Sequence, residues 1–266
     1  MVLARWLIAL ILVLHAASAA AQIVPVSQER SLTVHADLLG RSEYGEFPYT
    51  EDDEASATGF EFFDEEVSVT YATANQTSRI GPFGISASGE NDIAAVFIYS
   101  PDPPIPYTLE GGADASTTFR VGFEIDEATP YELEASFTTY HGPFGSGSTW
   151  VSLTGPGDVV VFSLDTSPSR CALELWCSGS DATSGVLEAG AYLLEAGTSG
   201  SASTHPSTLD DGYGYASYSV AFTIPAEFVA SVPALSPGGL ALLALILAAS
   251  AARALRLIAS PARPGA

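Results

Sequence analysis

The sequence predicts an all-β protein, a β-sandwich or jelly-roll-like body flanked by two targeting segments. Three observations carry this. Apolar and polar residues alternate with period two in several short runs. Turn-forming Gly, Pro, Asn and Asp recur about every 8–12 residues, the spacing of sandwiches and barrels. Between residues 22 and 231 no stretch shows convincing helical apolar spacing.

Residues 1–21 read as a signal peptide. Arg5 gives a positive start, residues 6–14 (WLIALILVL) an apolar core, and Ala19, Ala20 and Ala21 a small-residue exit before cleavage at Gln22. The expected partners are the Sec machinery and signal peptidase. The body then spans residues 22–231, enough for one large β domain or two small ones.

Taken in order, residues 30–39 (RSLTVHADLL) are the first strand. Residues 40–58 are polar and acidic, and the run Glu51-Asp52-Asp53-Glu54 predicts a solvated loop without the spacing of a calcium loop. Residues 59–73 predict a strand, and residues 77–88 two strands broken at Gly81-Pro82. Residues 93–99 (IAAVFIY) suit a buried strand, and the prolines at 101, 103, 104 and 106 then end it and mark the best site for a subdivision. Residues 117–125 and 131–139 alternate cleanly across a turn at 126–130, which predicts a hairpin. Strands follow at 149–153, 159–164 (VVVFSL, read as buried) and 173–177, with a Gly-rich turn at 142–148. Residues 186–196 are helix-like in composition, but Gly190 and the alternation of Tyr192, Leu194 and Ala196 favour a turn and a strand. Residues 197–212 predict a long loop, and residues 215–224 the closing strand.

All 31 acidic residues lie in the body with only five arginines and no lysine, which leaves it a net charge of −26. Such a surface repels phosphate backbones, so nucleic acid is not an expected partner. The absence of Lys removes Schiff-base and P-loop chemistry. Cys171 and Cys177, alone in an exported chain, predict a disulfide. His35, His141 and His205 are far apart and form no zinc motif, so no metal or cofactor is expected. Gly145-Ser146-Gly147-Ser148 is the nearest approach to a hydrolase elbow, but its context is a turn and not a strand-to-helix junction. Asp64-Glu65-Glu66 and Asp210-Asp211 read as turn acids, and Asn75-Gln76-Thr77 matches a glycosylation sequon. Tyr213, Tyr215, Tyr218, Trp150 and Trp176 would serve as core aromatics or, if exposed on one face, as stacking surfaces for sugar rings.

Residues 232–266 form a distinct tail. Val232, Pro233, Ala234, Leu235 and Ser236 precede Gly239, an apolar stretch, and then Arg253 and Arg256. The order resembles the C-terminal sorting tails of the IPTL-CTERM and PEP-CTERM kind, with VPALS in place of IPTLS. That resemblance implies an exported bacterial protein handled by an exosortase-type sorting peptidase. The run 189–196 (AGAYLLEA) resembles uncharacterised β domains found with such tails. Fifteen residues from Gly238 give only about 22 Å of helix, and extension to Ile258 reaches about 31 Å, enough to span a membrane if Arg253 and Arg256 snorkel to the cytoplasmic side. The expectation is an exported, membrane-tethered or surface-sorted β-sandwich of structural or matrix type without a catalytic site. The alternatives are a carbohydrate-binding module meeting extracellular polysaccharide, favoured by aromatics exposed on one sheet face, and a secreted glycoside or ester hydrolase.

Overall fold

Period-two alternation is realised as two stacked antiparallel sheets. A computed structural model describes residues 22–42, 45–95, 98–100, 107–166, 171, 175–204 and 211–225. The strands in chain order are β1 (Val24–Ser42), β2 (Gly45–Ala57), β3 (Phe63–Val69), β4 (Ala72–Gly81), β5 (Gly84–Ala95), β6 (Ile98–Ser100), β7 (Tyr107–Ile125), β8 (Thr129–His141), β9 (Gly145–Gly155), β10 (Val159–Asp165), β11 (Trp176–Leu187), β12 (Gly190–Ser203) and β13 (Gly212–Thr223). Sheet one has the order β10-β9-β12-β7-β1-β2, with β6 also on β7; sheet two has the order β11-β8-β13-β5-β4-β3. The facing strands match along the whole width: β9 lies against β8, β12 against β13, β7 against β5, β1 against β4 and β2 against β3. This is a β-sandwich, as the alternation and turn spacing predict. Strands from both sides of 101–106 enter both sheets.

Several expectations change. Residues 117–125 and 131–139 are strands, but not a hairpin. β7 uses both its edges on β1 and β12, and β8 uses both on β11 and β13, so the turn at 126–128 carries the chain from one sheet to the other. Their apolar faces meet across the core, with Phe119, Val121, Phe123 and Ile125 on one side and Tyr131, Leu133, Ala135 and Phe137 on the other. The acidic run at 51–54 is strand rather than loop, because β2 pairs with β1 in continuous register from Ser42↔Gly45 to Arg30↔Ala57. Residues 197–203 belong to β12, paired on both sides; Thr198 and Ala202 turn inward, and the pattern escapes notice because its inward positions are small or polar. In β10 only Phe162 and Leu164 are buried, while Val159 and Val160 at the hairpin end face water. Residues 145–148 open β9 rather than extending a turn, and β11 runs from Trp176 to Leu187, beyond the expected strand end at residue 177.

Two apolar clusters fill the interior. The larger lies between β7, β9, β10 and β12 on one sheet and β5, β8 and β13 on the other. The smaller, built around Leu32, Val34, Phe63, Val67 and Ile93, is rich in alanine. A buried polar layer separates them. The Gln76 amide donates to the Tyr218 hydroxyl at 3.1 Å, Thr117 also bonds that hydroxyl, and Thr117 and Thr198 share a bond of 3.0 Å. The Asn91 amide donates to the Ala115 carbonyl at 2.9 Å. Tyr218 reaches Gln76 by lying across Gly89, which stands between them in the register of β13, β5 and β4. A Cβ at Gly89 would come within 2.5 Å of the Tyr218 ring and 2.8 Å of Thr117 Oγ1. Burial pushes the Tyr218 pKa up.

Arg30 is fully buried. It donates to the Glu61 carbonyl at 2.9 Å, to Ser78 Oγ at 3.1 Å and to the Gly59 carbonyl, and its guanidinium carbon sits 5.0 Å from the centre of the Phe63 ring. Gln28 donates to Gly59 as well. These bonds fix the crossing from β2 to β3, and burial pulls the Arg30 pKa down.

The acids of β2 divide by parity. Glu51 accepts from the Thr70 amide at 2.7 Å and Asp53 from the Ser68 amide at 3.2 Å, which caps the outer edge of β3. Asp52 points the other way and bonds His35 at 2.6 Å, while Asp37 holds the second ring nitrogen at 2.9 Å and accepts from Thr50 at 2.8 Å. The Asp52 bond first, then the Asp37 bond, raises the His35 pKa above 6.5, and the His35 bond first lowers that of Asp37 below 3.8. The histidine contribution is complete below pH 6.5 and is lost as pH rises through the raised value; the Asp37 contribution is complete above its ordinary value and is lost in acid.

Two outcomes follow. Gly89→Ala destabilises the fold by about 2 kcal/mol, as overpacking of a filled core does, seen as a drop in the urea midpoint; an unchanged midpoint refutes the close packing of Tyr218. An NMR titration of the His35 ring gives a midpoint above 6.5, and Asp52→Asn lowers it; equal midpoints in the two proteins refute the assigned pairing.

Candidate functional site

The outer face of sheet two carries a row of aromatic side chains. Residues of one parity on β8, β11 and β13 fill the core, as Phe137, Cys177 and Tyr218 do, so Tyr140, Trp176, Tyr213 and Tyr215 point outward. Strand register lines three of them up. Trp176 lies opposite Tyr140, Tyr140 opposite Tyr215, and Tyr215 opposite Asp92 of β5. Ring centroids are 4.9 Å apart for Tyr140 and Trp176, 5.7 Å for Trp176 and Tyr215, and 5.3 Å for Tyr140 and Tyr213. All three pairs are tilted, at 53°, 51° and 55°, an arrangement that ring quadrupoles favour. Trp176 is 52% exposed and Leu175 beside it 59%. The three tyrosines are half-buried.

Trp176 sits at the start of the outermost strand. The expected Cys171–Cys177 disulfide is present and anchors the next residue, and the His141 amide donates to the Leu175 carbonyl at 2.8 Å. On the opposite flank the Tyr213 hydroxyl bonds the Asp92 carboxylate. Burial first, then Asp92, pushes the Tyr213 pKa up to about 12, so the phenol keeps its proton at any ordinary pH.

Beyond the aromatic row the face becomes small and hydroxylated. Ser178, Thr138, Ser217 and Glu90 form the next row, then Ser180, Ser136 and Ser219, then Ala182, Glu134 and Ala221. The last two rows floor a shallow depression of about 460 Å³. Aromatic faces beside hydroxyls and a fixed carboxylate can stack on the C–H faces of sugar rings and bond their hydroxyls.

The structure brings Trp176, Tyr213 and Tyr215 together and separates the other aromatics. Tyr218 turns into the core, and Trp150 lies on the outer face of sheet one, opposite Gly197. Tyr140 is the member that sequence reading missed. The alternation of residues 131–139, carried one step further, places it outward. His141 Nε2 stands 3.5 Å from the buried Thr139 Oγ1, and Ser146 Oγ bonds Ser201 Oγ at 3.2 Å. Asp64 accepts from Thr77 at 2.7 Å. Among the described residues no group of three or more His, Cys, Asp or Glu is placed to hold a metal ion, and no helix is long and apolar enough to cross a membrane. Ala21, His205, Asp210 and the tail residues Val232, Pro233, Ala234, Leu235, Ser236, Gly239, Arg253 and Arg256 lie outside the described residues.

No family model matches the chain, and no curated protein does. Among solved structures it is similar to a carbohydrate-binding module (CBM6cm-2) from Cellvibrio mixtus lichenase 5A in complex with cellotriose, at 13% identity and a TM-score of 0.19, covering 49% of this chain and 87% of that one. It is also similar to the VP2 subviral particle of infectious bursal disease virus, at 8% identity and a TM-score of 0.21, covering 88% of this chain and 74% of that one. Similarity this distant carries no argument about the site.

Proposed function

We propose that this chain is an exported, surface-held β-sandwich that binds glycan through Trp176, Tyr140, Tyr215 and Tyr213 and catalyses no reaction. The aromatic row is the observation that carries the reading. Four rings gathered on one outer sheet face leave apolar area in water that a ligand would cover. For the hydrolase alternative, Ser146 is engaged with Ser201, and the carboxylates of the aromatic row and the row beside it, Asp92 and Glu90, share one strand.

The address rests on the sequence. The signal-peptide pattern of residues 1–21 and the sorting-tail pattern of residues 232–256 agree with each other, and the disulfide suits an oxidising compartment. The tail would hold the protein in the inner membrane until an exosortase-type peptidase cuts near Pro233 and passes the body to the cell surface. There, a glycan-binding face would join it to extracellular polysaccharide.

Trp176→Ala lowers glycan affinity about tenfold or more, the scale of a lost stacking contact, and lowers the thermal midpoint only modestly, because about half of the ring is exposed and only its contacts with Tyr140 and Tyr215 are lost. Isothermal titration against the best ligand of a glycan array checks this; unchanged affinity removes the aromatic row as the site. Mass spectrometry of the protein from its producing cells gives an N-terminus at Gln22, and a chain still starting at Met1 overturns the export reading.

A further inference from the structure

We propose that the aromatic row selects a glycan bearing protonated amino groups, an amino-sugar polymer, over neutral and acidic glycans. The proposal rests on the glycan-binding reading and adds the charge class of the ligand. Asp92 occupies the same cross-strand row as Trp176, Tyr140 and Tyr215, and Glu90 stands on β5 one outward position along, opposite Ser217. Neither takes part in an ion pair among the described residues. Tyr213 holds Asp92 in place from the aromatic side. Glu134 and Asp181 border the depression at the far end of the face. The outward arginine of this sheet, Arg79, lies on β4 opposite Ser86, three outward positions from Asp92 along β5.

Two independent attractions therefore favour the same charge. A carboxylate bonds an ammonium group more strongly than a hydroxyl. The faces of Trp and Tyr rings attract cations through their quadrupoles. A uronate polymer meets the reverse: like-charge repulsion from Asp92 and Glu90 within a body of net charge −26, and, among the described residues, no Arg in the aromatic row or the row next to it. A neutral sugar stacks on the rings and offers the carboxylates only hydroxyl donors, which they hold less strongly than an ammonium group.

The test titrates the intrinsic tryptophan fluorescence of the protein purified whole, in detergent, with three oligosaccharides of equal length. These are a glucosamine oligomer, its fully N-acetylated form and a galacturonic acid oligomer. The glucosamine oligomer is expected to bind at least tenfold tighter than the acetylated one, with the advantage shrinking as salt rises, and the uronate to give no binding. Asp92→Asn and Glu90→Gln, made separately and together, reduce the advantage stepwise, and a thermal midpoint close to that of the wild-type protein shows that the variants are folded. Equal binding of the amino and acetylated oligomers, abolished in both cases by Trp176→Ala, overturns the charge selectivity and leaves glycan binding standing. Binding of none of the three by the wild-type protein overturns both.

Discussion

The sandwich depends on one contact in its middle: the Tyr218 ring lying across Gly89 to put its hydroxyl on Gln76. The two apolar clusters would otherwise meet in a layer where polar side chains stand with nothing to bond. A buried polar group without a partner is costly, and a hydroxyl that bonds both the Gln76 amide nitrogen in its own sheet and Thr117 in the other lowers that cost for three residues at once, with the buried Gln76 Oε1 left unpartnered. The bonds also fix register. A shift of β13 by one residue would turn Tyr218 to the solvent and leave Gln76 unsatisfied, so the layer specifies one alignment of the sheets.

The same strand builds the candidate site. Gly212, Gly214, Ala216 and Tyr218 face inward and are held by packing, so Tyr213 and Tyr215, each between two of these inward residues, have little freedom. β8 is anchored likewise by Phe137 and Thr139, and it presents Tyr140. Trp176 alone stands on an outer strand, and there the disulfide replaces the missing neighbour. The rings are thus organised before any ligand arrives, which lowers the entropic cost of binding.

How far the sequence shows this differs by feature. Alternation makes the strands and their inward faces readable where the inward residues are large, as in residues 117–125 and 131–139. It fails where inward positions are Thr, Gly or Ser, as in residues 197–203, and where acids alternate in role, as in residues 51–54. Pairing is beyond local reading: residues 117–125 and 131–139 look like a hairpin because nothing nearby reveals that β1 and β12 occupy the edges of β7. The candidate site suffers the same way. Each of its aromatics is visible in the sequence, but the row exists only through the register of three strands drawn from residues 129 to 223. The two identical motifs Gly81-Pro82-Phe83-Gly84 and Gly142-Pro143-Phe144-Gly145 make the point sharply: the first closes a hairpin within sheet two and the second links β8 of sheet two to β9 of sheet one.

Strand order has a temporal side. Sheet two consists of β3, β4 and β5 on one flank and β8 and β11 on the other, and β13 is the strand that lies between them. A chain emerging from its N-terminus can pair β3 with β4 and β4 with β5 early, and β8 with β11 later, but the two flanks remain unjoined until residues 212–223 appear. The final strand therefore sews the sheet shut, seats the hydroxyl in the polar layer and delivers two of the four rings in a single event. A molecule truncated before it lacks both a closed core and a complete aromatic row, so assembly of the binding face reports that synthesis has run through the whole body.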